Sequence, residues 1–464
     1  MPAIAFCALS GCARWATPER PQPVTPPTQF AAAKEATAPA LDWVSRLGDP
    51  DGLNRALLDA LSHNPDVLQF AAQRDQSEAA WTIASAGRLP TADLALRGSR
   101  SVVGRNQVAQ AGQIFNLGLS VAWPADLWGQ LSEAQRAAAL RRAAAETRLE
   151  GARRQIVADV ASAWFNVIEA ITLLNIFEQR LVNLTDAAEI IEAGYRRGLN
   201  EALDLYLARN ALEQERANVS AQRQVAADSR VRLQQLTGVY PDASQPVPGE
   251  LPSLGDTVPA GLPSDLLVRR ADVAEAWLNV LAADADVAVA QRARLPQLVL
   301  SGSAGRVSEQ LANIISDGDE SWSLLANLAG PLFDAGRRRA QVDQNAARAA
   351  ELEALYVQRL LAAFGEVESA LTRTQTLAEQ RRALVQARDD AQRALDLATD
   401  QYGRGLVGFT TVLESQRRAF DTTTQVVRLT NQQVQNRIAL HLALGGEFEM
   451  DGAASRSAVR EGVE

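Results

Sequence analysis

Few side chains in this sequence could do chemistry. Its two cysteines, Cys7 and Cys12, lie near the start, and its two histidines, His63 and His441, stand far from them and from each other. Zinc or copper needs several such ligands at short, regular spacing, so the sequence contains no metal set. No Ser/His/Asp grouping, phosphate-cradling glycine loop or paired carboxylates occur in a working context, so an enzyme is the weakest reading. His63 and His441 read as surface or packing residues. What remains is one thiol open to modification and a few polar residues near two similar stretches, GYRRGL at 194–199 and QYGRGL at 401–406.

The thiol is Cys12. Leu9-Ser10-Gly11-Cys12 closes an apolar start and resembles the lipobox of a bacterial lipoprotein signal, in which small residues admit a peptidase and the cysteine receives lipid. Covalent lipid on Cys12 is the one cofactor expected. No Lys or Arg precedes it, whereas such a signal has a basic front, so the expected start lies upstream of Met1. Ala13 after the cysteine, rather than Asp, is similar to an outer-membrane destination signal.

Composition narrows the classes. With 46 basic and 55 acidic residues the net charge is −9, and no Lys/Arg block stands out, so nucleic acid is not an expected partner. No run of about eighteen apolar residues exists, which argues against a helix crossing a bilayer. Residues 1–12 read as the signal, 13–49 as a Pro-rich tether, and 447–464 as a disordered polar tail.

The chain is written twice. Tyr195, Arg197, Gly198 and Leu199 recur as Tyr402, Arg404, Gly405 and Leu406 at one offset (402 − 195 = 207). Pro124, Gly129 and Gly238 recur as Pro331, Gly336 and Gly445 at the same offset, and Arg88-Leu89-Pro90 returns as Arg294-Leu295-Pro296. A tandem repeat of this length sets the fold before any element is read. The repeats are placed at 50–238 and 264–446, joined by a Pro/Gly-rich linker at 239–263.

From Gln130 to Ala193, and again from Arg337 to Tyr402, there is no proline and a single interior glycine before the tip, Gly151 or Gly365. Each run predicts a helix on the order of 100 Å long. Ile156, Val160, Ala163, Val167, Ala170, Leu174, Phe177, Leu181, Leu184, Ala188 and Ile191 alternate steps of four and three, a coiled-coil seam. Charged residues such as Arg153, Arg154, Glu178, Arg180, Arg381 and Arg382 read as the solvated face. Return helices are expected at 201–237 and 408–444, and opening helices at 51–88 and 264–294.

Between opening and long helix, ADLALRGSR and NLGLSVAW, then QLVLSGSAG and SWSLLANLA, alternate as strands. Leu117, Leu119, Val121 and Trp123 share one face, as do Trp322, Leu324, Ala326 and Leu328. The lengths suit strands that cross a bilayer at a tilt, and equally a two-hairpin sheet in a soluble domain. Trp123, Trp128 and Trp322 fit a lipid-interface belt or a core. Four strands cannot close a barrel, and open strand edges are not tolerated in lipid, so strands that span a membrane require several chains to share one barrel.

GLPSDLLVRRADV at 261–273, ARLPQLVLSG at 293–302, GPLFDAGRRRAQV at 330–342, AAFGEVESAL at 362–371 and the QYGRGL tip resemble the outer-membrane factor family, of the TolC/OprM/NodT type. The likeness covers about 50 to 446, with Ala271 standing where the family usually has proline. It implies an α+β membrane protein with an internal tandem repeat. Long antiparallel helices would form a periplasmic α-barrel, and four transmembrane β-strands per chain would enter a shared 12-stranded trimeric β-barrel. It implies a homotrimer in outer-membrane lipid, joined through a periplasmic membrane-fusion adaptor to an inner-membrane pump of the RND type. The function implied is a passive exit duct for small molecules. Export of proteins or peptides by a type I system, or a soluble coiled-coil scaffold, are the alternatives.

The resemblance also implies roles at the tips. Gly198, Leu199, Gly405 and Leu406 would form the reversals that meet the adaptor, glycine giving the turn and leucine an apolar contact. Tyr402 matches a residue that ties the tunnel end shut, and Asp204 matches its acidic partner. The family arginine that completes that lock is replaced by Val407. Glu414 falls where relatives place an acidic constriction ring; three facing copies would repel one another and attract cations. An ordinary exposed carboxylate is the other reading of Glu414.

Overall fold

The computed structural model describes residues 50–105, 108–252, 254 and 269–446. Cys12, the tether, part of the linker and the tail lie outside them. The chain forms two compact units; one takes its described residues from 73–146 and 275–358, the other from 50–72, 147–274 and 359–446.

The first unit contains the sheet. Strands β1 (Thr91–Arg105), β2 (Val108–Ala125), β3 (Gln297–Ser308) and β4 (Asp319–Ala329) are antiparallel neighbours in that order. The alternating stretches thus make one sheet of two hairpins, because β2 of the first repeat pairs with β3 of the second, Leu119 opposite Ala304. All four strands run past the segments expected from alternation, β2 to 18 residues. Helix α5 (Ala271–Arg292) leads into β3.

Register puts most of the large apolar residues of the four strands on one face. Leu94 lies opposite Leu119, Leu300 lies opposite both Trp123 and Ala326, and Leu298 opposite Leu328. The other face carries Asp93, Arg97, Asn116, Ser120, Ser301, Ser303, Ser321, Ser323 and Asn327, with Ile114, Val299, Val307 and Leu325 among its apolar members. The apolar side chains are uncovered within the chain: Leu94 is 75% exposed, and Trp322 and Leu324 are 78% exposed.

The second unit is helical, and α2, α3 and α6, given below, have residues in both units. Helices α1 (Pro50–His63) and α2 (Pro65–Ala86) divide the expected opening helix at Asn64, since Pro65 offers no N–H to continue the ladder. Asn64 Oδ1 accepts the Asp66 N–H at 2.8 Å and its Nδ2 donates to the Leu236 carbonyl at 2.8 Å. The long helices α3 (Gln130–Arg196) and α6 (Arg337–Gly403) return as α4 (Ala202–Thr237) and α7 (Phe409–Ala443). Asp126 starts α3 by accepting the Leu131 and Ser132 N–H groups, and Asp334 accepts the Arg338 N–H of α6.

The α3 seam is the core. Ile156, Val160, Ala163, Val167, Ala170, Leu184, Ala188 and Ile191 are buried. Leu53, Leu57, Trp164, Phe165, Leu233, Val434 and Ile438 join the upper cluster, each large side chain contributing about 1.5–3 kcal/mol. One stretch of α3 reaches a mean hydropathy of 1.5, enough for a bilayer by composition, but half of it is buried by the chain itself. The described part of the linker is irregular, as its Pro/Gly density predicts, yet it docks: Val247 enters the core and Leu251 and Leu254 pack on it.

Arg180 departs from the solvated-face reading. Its guanidinium lies 4.1 Å from the Phe420 ring centroid and pairs with the buried Glu215 at 3.4 Å. Helix α3 packs against α4 on one side and α7 on another, so a residue off the seam is covered as well.

Candidate functional site

Two reversals, 197–201 and 404–408, turn the long helices into their returns, and the repeated motif explains both. Gly198 has φ +76° and Gly405 φ +72°, the left-handed conformation that costs other residues about 1–2 kcal/mol. Gly198 N–H donates to the Tyr195 carbonyl and Leu199 N–H to the Gly194 carbonyl, both at 2.9 Å. Gly405 and Leu406 repeat this on Tyr402 and Gln401, also at 2.9 Å. This is the Schellman end of a helix, in which orphan carbonyls are satisfied by the two residues past the cap. The same bonds end α4 at Gly238 and α7 at Gly445. Four of the glycines shared by the repeats, Gly198, Gly238, Gly405 and Gly445, are therefore helix terminators, whereas Gly129 and Gly336 immediately precede α3 and α6.

The leucines after these glycines point to solvent, Leu199 77% and Leu406 69% exposed. An uncovered leucine on each tip is an apolar contact without a partner among the described residues. Behind the tips, Ile191, Leu205, Ala208 and Phe409 form a small buried cluster with Tyr402 against it. Glu192 of α3 pairs with Arg209 of α4 at 3.3 Å and with Arg196. Hydrogen bonds from Arg209, then Arg196, hold its carboxyl below the usual range.

The Tyr402 hydroxyl accepts a hydrogen bond from Asn200 Nδ2 at 3.2 Å, and among the described residues it makes none to Asp204. Asn200 sits in the reversal itself, whereas Asp204 lies in the first turn of α4. Glu414 is not a bare carboxylate. Arg417 donates to it at 2.9 and 3.0 Å and Arg418 at 2.8 Å, while Arg417 also binds Asp421 at 3.0 Å. Those bonds, Arg417 first, hold Glu414 down to about 2. Two acids and two arginines make this cluster neutral within one chain. The signal was in the sequence, since arginines three and four residues on share a helix face with Glu414.

His63 is exposed and His441 buried, matching the surface-or-packing reading. The tryptophans favour the belt over the core: Trp123, Trp128 and Trp322 are exposed, and Trp123 Nε1 donates to the Arg88 carbonyl at 2.9 Å. Among the described residues no cluster of His, Cys, Asp or Glu could hold a metal ion.

An apolar sheet face backed by a polar one, on strands followed by paired long helices, recurs in known proteins. The profile of the outer membrane efflux protein family matches residues 56–239 and 262–446, one match per repeat. The chain belongs to that family. The outer membrane protein OprJ of Pseudomonas aeruginosa is 30% identical over 95% of this efflux protein and 94% of its own length. The cation efflux system protein CusC of Escherichia coli is 28% identical over 96% and 98%. A crystal structure of CusC, described with its transmembrane channel formation, superposes with a TM-score of 0.83 at 26% identity over 93% of this chain and 99% of that one. The protein is thus an outer-membrane efflux channel component, and its fold is the helical-barrel and strand-barrel fold of these channels.

Proposed function

We propose that three copies of the chain join edge to edge as an exit duct. Each gives β1–β4 to a twelve-stranded outer-membrane barrel, and the helices continue the passage into the periplasm. The observation that carries this is the largely apolar face shared by four strands whose outer edges, on β1 and β4, have no partner among the described residues. Such a face is unstable in water, and such edges are unstable in lipid. A ring of identical sheets satisfies both, with the serine- and asparagine-rich face turned to a wet lumen.

Leu199 and Leu406 on their glycine reversals then form six tips per trimer that dock on the helices of a periplasmic adaptor. An inner-membrane pump supplies the energy, lipid on Cys12 anchors each chain, and small molecules pass without chemical change. Tyr402 and Asp204 lie at the closing end, where Glu414 is a neutral, arginine-bound element of the wall. Related proteins are named for toluene, for solvents, for pyoverdine and for cations, so one architecture serves several cargo classes. Planar-bilayer recording of the purified protein tests the duct. Discrete conductance steps are expected; a protein that never conducts would overturn it.

A further inference from the structure

On α3, Ile168, Ile171, Asn175, Gln179 and Asn183 follow one another at steps of three and four, so they share one helix face over about 20 Å. That face meets Gln416, Phe420, Thr423, Val426 and Val427 of α7, with Arg381 and Leu395 of α6 and linker residues 247–252 at its borders. Between them lies a groove of about 840 Å³, within the range that holds a small organic ligand. Its isoleucines and valines accept an apolar body. Asn175, Asn183, Gln392 and Gln416 carry both donors and acceptors, so they select polar atoms without selecting a charge.

We propose that this groove binds an amphipathic organic anion, with Arg381 taking its acidic head. Two guanidiniums line it, and they differ. Arg180 is engaged, over the Phe420 ring at 4.1 Å and on Glu215 at 3.4 Å. Arg381 has no ion pair among the described residues, and its Nε is shut off from water without a hydrogen-bond acceptor. A cation so placed lacks the anion that would offset its desolvation. The scaffold does not demand it, because at the repeat offset (381 − 207 = 174) the first repeat has Leu174. Glu250, the acid on the rim, belongs to the linker and is exposed. Past Asn183, Leu395 and Gln416 the groove continues to Asp396 and Asp400, about 20 Å along α6 from Arg381. Those acids are already satisfied, Asp396 by Gln392 at 3.0 Å and Asp400 by Arg404 at 2.9 Å. They do not call for a cation, and they set a gradient that turns an acidic head toward Arg381 and the apolar body away from it.

The proposal concerns one unit of one chain and does not depend on the duct. Its test is photo-crosslinking of the full-length protein in phosphatidylcholine nanodiscs with a diazirine-tagged dodecanoate, followed by peptide mapping. Label is expected on 168–183 of α3 and 416–430 of α7, displaced by untagged dodecanoate and not by dodecyltrimethylammonium. Arg381→Gln should reduce this label roughly five- to tenfold at subsaturating probe, the loss of one charge-assisted contact at a partly exposed site, and Arg381→Lys should keep most of it. Val427→Trp fills the groove and should remove the label with the native mass unchanged. Equal displacement by the cationic amphiphile, or full labelling of Arg381→Gln, would overturn the proposal. So would the absence of displaceable label on these two segments, the outcome if another part of the chain or a second copy covers the groove. Conductance of the same preparation reports on the duct separately.

Discussion

Valine in place of Gly198 and Gly405 separates the tips from the body. At φ +76° and +72° a β-branched residue is strained by about 1–2 kcal/mol or more per tip. A Cβ at either position meets nothing within 4 Å, so backbone strain is the whole effect and no neighbour has to move. That energy is roughly a 5- to 30-fold change in the population of the native turn. Gly238→Val is the contrast: its φ is +73°, but the new Cβ would stand 2.7 Å from the His63 carbonyl oxygen, adding a backbone clash in the helical body. Export of a fluorescent substrate from cells lacking their own duct, measured beside the native mass of the detergent-extracted protein, distinguishes the cases. The tip variants should lose most export and keep the assembled mass; Gly238→Val should lose assembled protein first. Full export by the Gly198→Val/Gly405→Val double variant would refute the argument that these reversals meet the adaptor.

Replacing Glu414 by glutamine leaves Arg417 and Arg418 opposed only by Asp421, so the reversal potential in a salt gradient should shift toward anions. In the unaltered protein the Glu414 pKa of about 2 keeps the carboxylate ionised throughout the working range. Selectivity measured between about pH 7 and pH 4 should therefore show no titration from this group. Arg270→Met removes a nearly buried guanidinium bonded to Glu366 at 2.6 Å, Asp272 at 2.8 Å and the Ala443 carbonyl at 3.2 Å. The expected loss is about 2 kcal/mol, reduced from a fully buried pair because both carboxylates are partly exposed. Burial raises the Asp272 pKa, but hydrogen bonds from Arg270 outweigh it and hold the group below its usual value. Its stabilisation is present above about pH 4 and lost as pH falls through the folded value, so the gap in thermal midpoint between wild type and Arg270→Met should narrow in acid. Cys12→Ser should abolish incorporation of labelled palmitate and leave barrel insertion intact, as read by resistance to extraction from outer membranes.

Much of this architecture is legible in the sequence because it is local and repeated. The glycines at 198, 238, 405 and 445 stand where helices must stop, and the seam from Ile156 to Ile191 follows a period that only a packed helix needs. Alternation in the strands is also local, but which faces align depends on register between β2 and β3, set by residues some 180 positions apart. Arg180 reads as solvated because periodicity describes one packing partner, and α3 has more than one. Asn200 looks like an ordinary loop amide. Its hydrogen-bond partner Tyr402 lies in the other repeat, which a linear pattern does not reveal.

The sharing of one barrel is the central claim, and the native mass of the detergent-purified protein, corrected for bound detergent, tests it most directly. Three chains of 49.9 kDa are predicted in a single species. A stable species of one chain that still inserts in lipid would contradict the account, because β1 and β4 would then stand in the membrane with their edges unpaired.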